Sequence, residues 1–337
     1  MSNPLLELTP NKVSRDIGSY VTYIFGRPKV GKSRFAAEFP NAIFFASEPT
    51  QNTIPGIFKI DVTSWAEFKK MVRYLKDPEV QSKFKTVVLD TVDLLAQFCE
   101  RYICNQEGVE DLKDIAWGAG YGRVEREFEQ TLRSIMYLGY GMVLISHETT
   151  GTFTREDGTE YNKITPAVGS KRCKAVVENI ADIYGRIHTV KDEDGTSKQV
   201  ITLRTNDDSV SGGNHFKYMV SEVDLSYQAL AKAIEDAIEL DEKECGHSEF
   251  FTDNRMELPE KKKLDFASMM EEFKDLTHQI QHNVESDEFK SKWAPKIISI
   301  TDKYLGKGKK VADCTEAQVE QLELILIDLK EEVAKGL

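Results

Sequence analysis

Residues 20–39 read YVTYIFGRPKVGKSRFAAEF. An apolar, β-branched and aromatic run from Tyr20 to Phe25 stops at Gly26, and G-x-x-x-x-G-K-S then spans Gly26 to Ser33. Phe35, Ala36 and Phe39 follow at helical spacing. Strand, glycine-bounded loop and helix form the context a Walker A phosphate loop requires. The loop must curl so that backbone N–H groups point inward at an anion. Gly26 and Gly31 permit the backbone angles and the close approach that a side chain would block. The helix start adds a positive end aimed at the same phosphates. The expected nucleotide cradle is therefore Gly26, Arg27, Pro28, Lys29, Val30, Gly31, Lys32, Ser33 and Arg34. Within it Lys32 reaches the β- and γ-phosphates as a point charge, and the Ser33 hydroxyl ligates Mg²⁺. ATP and Mg²⁺ are the expected cofactors.

Three further short apolar runs end in polar groups. AIFFA, Ala42 to Ala46, leads into Ser47 and Glu48. TVVL, Thr86 to Leu89, ends at Asp90, the Walker B pattern in which a buried strand delivers a carboxylate beside the phosphate loop. Asp90 there either holds Mg²⁺ or caps the next helix. GMVLIS, Gly141 to Ser146, runs into His147 and Glu148. Ser64 with Glu67 resembles a capping box that opens a helix through Tyr74. A further helix is expected from Val124 to about Tyr137, and Asp157-Gly158 signals a hairpin turn. Strands alternating with helices after a phosphate loop predict an α/β fold, a mostly parallel sheet with helices on both faces.

The chain has 337 residues, 40% hydrophobic and 30% charged, with a net charge of −12. A chain of this length removes about three quarters of its surface from water on folding, enough for a proper core. Nearly all the negative charge lies after Val220, so the phosphate-loop region is close to neutral and can carry local basic surface. No apolar run reaches the length of a membrane span, and the N-terminus lacks the pattern of a secretion signal. Five scattered cysteines fit free thiols in a reducing compartment, and the cytoplasm is the expected location, that of the host cell for a phage-encoded chain. The expected organisation is a lead-in over 1–19, a nucleotide-binding domain over 20–240, a charged linker over 241–263 and an acidic helical domain over 264–337. Three apolar stripes predict the last: Phe266, Met269, Met270, Phe273, Leu276, Ile280; then Ile297, Ile298, Ile300, Tyr304, Leu305; then Val319, Leu322, Leu324, Ile325, Ile327, Leu329.

GRPKVGKS, AIFFASE, TVVLDT, MVLISHE and ITPAVGSK together resemble the RecA-type ATPases. More closely, the chain is similar to a compact phage branch of AAA-type nucleotide-binding proteins, the RecA-like single-strand annealing proteins of the Sak group. The resemblance spans roughly residues 18–235. It implies a RecA-like P-loop domain with a mostly parallel central sheet, followed here by a small C-terminal helical bundle. It implies that Glu48 orients the attacking water, against the plainer role of a loop-capping glutamate. His147 takes the place of a γ-phosphate sensor, where many relatives carry Asn-Gln, or is merely packed. Catalytic roles thus fall to Glu48, Lys32 and His147, and the metal to Ser33 and Asp90.

The resemblance also implies DNA-contacting loops at Thr149 to Lys174, with Arg155, Lys163, Lys171, Arg172 and Lys174, and at Trp117 to Arg123, with Trp117 and Tyr121. Lysine and arginine would neutralise phosphates and the aromatics would stack on bases. The alternative is core aromatics and a solvated basic face. The implied activity is an ATPase that binds single-stranded DNA as a homo-oligomer and pairs or exchanges strands in recombination. The alternative is a nucleotide-dependent assembly adaptor such as a helicase loader. The C-terminal helices are either a solubilising or dimerising appendage or a module that docks a partner such as a single-strand-binding or replication protein.

Overall fold

The strand that leads into the phosphate loop is buried at every position, so it needs cover on both faces, and the architecture supplies it. The computed structural model describes residues 4–48, 51–192, 194–204, 210–256 and 264–336. The strands are β1 (Val13–Ser14), β2 (Val21–Gly26), β3 (Ala42–Ala46), β4 (Phe58–Asp61), β5 (Thr86–Asp90) and β6 (Gly141–Thr154). After them come β7 (Glu160–Pro166), β8 (Ile183–Lys191), β9 (Ser197–Thr202), β10 (Gly213–Asn214), β11 (Glu222–Asp224) and β12 (Phe251–Thr252). The helices of this part are α1 (Lys32–Ala36), α2 (Trp65–Tyr74), α3 (Pro78–Lys83), α4 (Val92–Glu107), α5 (Ala119–Met136), α6 (Lys171–Ile180) and α7 (Tyr227–Cys245).

Among the described residues the main sheet runs in the order β4-β3-β5-β6-β2-β8-β9-β11. The six strands from β4 to β8 are parallel to their neighbours. β9 and β11 extend the far edge antiparallel, and β10 pairs antiparallel with β8. Alternate residues of β2 feed two cores. Val21 and Tyr23 pack with residues of α2, α4, α5 and α6, and Ile24 packs with Phe35, Leu230 and Ile234 from α1 and α7. Mixed α/β structure around a mostly parallel sheet is the observed class.

Local signals explain several boundaries. Ser64 Oγ accepts from Glu67 N at 3.2 Å, while the Glu67 carboxylate reaches one residue further back, to Thr63 N at 2.8 Å. Phe39 precedes Pro40, which disfavours helical backbone at Phe39, so α1 stops after five residues. The expected start at Val124 moves to Ala119, which puts Tyr121 and Arg123 on helix α5 rather than in a loop. β6 does not end at His147. It continues to Thr154 and pairs antiparallel with β7, from Glu148↔Pro166 to Thr154↔Glu160. The segment Thr149 to Lys174, expected to contact DNA, is a hairpin that turns at Asp157-Gly158 as the sequence signals, followed by α6, with Ser170 capping the helix at Cys173 N.

The chain divides into two units, 1–258 and 259–337. Most of the stretch expected as a linker differs from that expectation. Helix α7 runs to Cys245, β12 pairs with β1, and Arg255 donates to the carbonyls of Gly18 and Lys85. The charges that suggested a linker are used in pairing: Arg15 bridges Glu242 and Asp253, tying the lead-in to the same corner. Residues 257–263 lie outside the described residues.

In the second unit α8 (Phe266–Asn283) is followed by α9 (Ser286–Glu288), a π-helical turn at Phe289–Trp293, α10 (Ala294–Leu305) and α11 (Val319–Gly336). Ile280, Trp293, Ile300, Leu322, Ile325 and Leu329 share its core. Ile298, Leu324 and Ile327, assigned to apolar stripes from spacing, are exposed. Trp293, outside every stripe, is fully buried.

Candidate nucleotide site

β2 presents Gly26 at its C-terminal end. A Cβ there would lie 2.4 Å from the backbone oxygen of Ile187, so the neighbouring strand β8 excludes any side chain. Lys29 (φ 65°) and Gly31 (φ 103°) take left-handed backbone and turn the loop. Val30 is buried in the α1–α7 core and anchors it. With α1 only five residues long, the loop amides dominate over any helix dipole. The Lys32 ammonium is buried and donates to Gly26 O and Arg27 O, each at 2.8 Å. Burial lowers the Lys32 pKa, opposed by Asp90, Asp93, Glu48 and Glu148. An incoming triphosphate would add further negative charge beside this desolvated cation.

The sheet register brings the remaining groups to that loop. β6 lies between β2 and β5, and Gly26 is the cross-strand partner of His147. Asp90 faces Ile145 across β6 and Ala46 across β3, two residues before His147 and Glu48 respectively. Ser33 Oγ donates to Asp90 Oδ2 at 2.6 Å, which spans the loop and the β5 end. Hydroxyl plus carboxylate suits Mg²⁺, which keeps waters and phosphate oxygens as its other ligands. Among the described residues no group of three or more His, Cys, Asp or Glu could hold a metal by itself. Ser47 N–H donates to Asp90 O and Thr91 N–H donates to Ser47 Oγ, both at 2.8 Å, lacing the ends of β3 and β5 together.

Lys32, Ser33, Glu48, Asp90 and His147 line one cavity of 550 Å³ with Pro28, Lys29, Gly31 and Arg34. Arg27, Gly26 and Val30 belong to the loop without lining it. The His147 ring lies 3.3 Å from Asp93 and 3.8 Å from Glu48 through Nδ1. Its pKa is raised, chiefly by the Asp93 hydrogen bond, against burial and Lys32.

Two residues without an expected role stand behind this site. Asp93 binds Ser146 Oγ, and its Oδ2 accepts from His147 N–H at 2.8 Å. A carboxylate inside the apolar run Val92 to Ala96 was the available signal. Glu148 accepts from Arg27 Nε at 3.0 Å and from Arg186 Nε at 2.9 Å, joining the phosphate loop, β6 and β8. Only the fold brings Arg186 to it.

Five of the eight residues expected to meet nucleic acid line two cavities that have Lys171 in common. Lys163 of β7 and Lys171 and Lys174 of α6 line a 570 Å³ cavity with Phe153 of β6. Tyr121, Lys171 and Arg172 line another of 910 Å³, which also holds Glu100, Glu110 and Asp111. Arg123 is paired with Glu107, Arg172 with Glu125, and Arg155 sits over the Tyr161 ring. Trp117, expected as either a base-stacking or a core aromatic, is not core: it is fully exposed on left-handed backbone.

A glycine-turned loop, a buried lysine and a serine–aspartate pair at the ends of parallel strands define a P-loop nucleotide-binding domain. Residues 19–215 match the family described as an AAA domain, and the chain belongs to that family. It is also similar to the SPbeta prophage-derived uncharacterized protein YorG of Bacillus subtilis (strain 168), 27% identical over 329 residues, covering 96% of each chain. No helix among the described residues is long and apolar enough to cross a membrane.

Proposed function

We propose that the chain is a Mg-ATP-dependent, RecA-like ATPase that acts on single-stranded DNA, annealing or exchanging strands in recombination. Lys32 and the loop amides grip the triphosphate, Ser33 and Asp90 hold Mg²⁺, Glu48 positions the attacking water and His147 contacts the γ-phosphate. The observation that carries the DNA half of this reading is the continuity of β6. The same strand pairs His147 with Gly26 and then becomes an arm of the hairpin whose Lys163 lines one cavity with Lys171 and Lys174 of α6. A rearrangement at His147 on nucleotide binding has a short mechanical route to those lysines. Phe153, at the same cavity, offers a face for base stacking.

Fluorescence anisotropy with a labelled oligonucleotide tests this. Mg-ATP should tighten binding, added salt should weaken it, and charge reversal of Lys163 and Lys171 should abolish it. Signal no higher than background with and without ATP refutes the DNA role. A second reading, a nucleotide-dependent adaptor such as a helicase loader, is favoured by the exposed Ile298, Leu324 and Ile327 of the second unit, which would meet a partner protein. A chain ending at residue 258 separates the two: retained strand annealing favours the first, and loss of a partner without any DNA activity favours the second.

A further inference from the structure

Asp93 is a buried carboxylate that none of the roles above uses. It lies in the first turn of α4 and is 6% exposed. Its donors all come from two consecutive residues of β6. Ser146 Oγ donates to Oδ1, His147 N–H donates to Oδ2 at 2.8 Å, and His147 Nδ1 lies 3.3 Å from the same Oδ2. An ionised carboxylate only accepts, so this contact is a hydrogen bond when Nδ1 carries the hydrogen. Among the described residues nothing hydrogen-bonds Nε2, and the ring lines the cavity shared by Lys32, Glu48 and Asp90.

We propose that Asp93 is a positioning residue which, by holding Nδ1–H, presents His147 Nε2 to the γ-phosphate and makes the imidazolium the form that binds it. The inference rests on the ATPase reading above. Its chemistry follows from the tautomer. A neutral ring with hydrogen on Nδ1 offers a lone pair at Nε2, which repels a phosphate oxygen. Only the imidazolium donates from both nitrogens. Binding of the γ-phosphate therefore takes one proton from solvent onto Nε2, and the Nε2–H then donates to the phosphate. The charged groups facing the ring are Asp93 from α4, Glu48 beyond β3 and Lys32 from α1. The two carboxylates favour the cation and Lys32 opposes it, and the net effect raises the ring's pKa. The same carboxylate holds the backbone N–H of His147, so ring and strand are fixed as one piece.

Side-chain ¹⁵N–¹H correlation spectra of the full chain test this directly, with His147 picked out from the six histidines by its loss in His147→Gln. The expected wild-type signal is the Nδ1–H tautomer above the ring's pKa, and a pKa that rises when a non-hydrolysable ATP analogue binds and stays put with ADP. In Asp93→Asn one amide oxygen faces three donors, so the tautomer should shift towards Nε2–H and the pKa should fall. ATP turnover should drop about 10-fold, the difference between a charge-assisted bond to the phosphate and the neutral Nε2–H bond that replaces it, with ADP affinity unchanged. The double variant Asp93→Asn/His147→Gln should be no slower than His147→Gln alone, because the two act as a unit. An Nε2–H tautomer in the wild type overturns the proposal even where the Asp93 variant fails to fold. So does an additive double variant. If neither ATP nor ADP binds, the ATPase reading fails, and the tautomer still reports the Asp93 contact on its own.

Discussion

Replacing Glu148 by alanine tests whether one carboxylate ties β6 to both the phosphate loop and β8. The side chains of Glu148 and Arg186 are 10% and 13% exposed, and two contacts join them, at 2.9 Å and 3.4 Å. The arm to Arg27 is of another kind, since that guanidinium is 78% exposed and screened by water. The cost of the substitution is therefore the stranded Arg186. Removing one partner of a buried pair costs about 3–5 kcal/mol, and the slight exposure here places the expectation at about 3 kcal/mol. For a unit of this size each kcal/mol moves the melting temperature by about 2–4 °C, so the drop should be about 6–12 °C.

Acid provides the internal control. Burial pushes the Glu148 carboxyl up, but Arg186 and then Arg27 outweigh it and hold it below its ordinary value of 4.5. A depressed carboxyl stabilises the fold above the unfolded-state value, and that contribution is lost as the pH falls through the folded-state value. The gap between wild type and variant should be full at neutral pH and should close as the pH drops below the ordinary 4.5. Calorimetric melts across that range measure it. Exchanging Arg186 for methionine in the same variant should recover most of the loss, because the unpaired charge is then gone. A drop under about 2 °C at neutral pH, or a gap indifferent to acid, would refute the argument.

Lys32→Ala should eliminate the calorimetric signal of Mg-ATP binding while leaving the unliganded fold intact, because burial already works against that charge. Glu48→Gln should retain Mg-ATP binding and lose turnover by about 100-fold or more; unchanged steady-state hydrolysis would assign the water to another group. Gly26→Ala forces a methyl carbon against the Ile187 carbonyl, so β2 and β8 must part locally. It should cost about 1–3 kcal/mol in urea denaturation and weaken nucleotide binding as well.

Much of the nucleotide-binding unit was legible because its signals are local. AIFFA and TVVLD are strands at almost the expected bounds, since short apolar runs closed by polar residues can be satisfied only by burial between two layers. Ser64 caps α2 by the side-chain bond its residue type favours, whereas the equivalent cap of Ser170 on α6 was not read. The exposed Ile298, Leu324 and Ile327 were misassigned because helical spacing marks apolar residues without saying which side meets another helix. The extent of β6 was missed because polar hairpin residues such as Thr149 and Thr150 carry no burial signal and pair only because β7 returns beside them.

The order of residues was enough to establish the phosphate loop, the strand ends bearing Glu48 and Asp90, the buried run leading to His147, and the helical character of residues 266–336, for each depends on neighbours a few positions away. Which of these groups meet, and through what, was settled by packing. The interposition of β6 between β2 and β5 sets His147 against Gly26, Asp93 behind His147, and Glu148 between Arg27 and Arg186. Those contacts join residues as many as 121 positions apart. Nothing local encodes them, because they exist only once two buried cores have closed over both faces of one sheet.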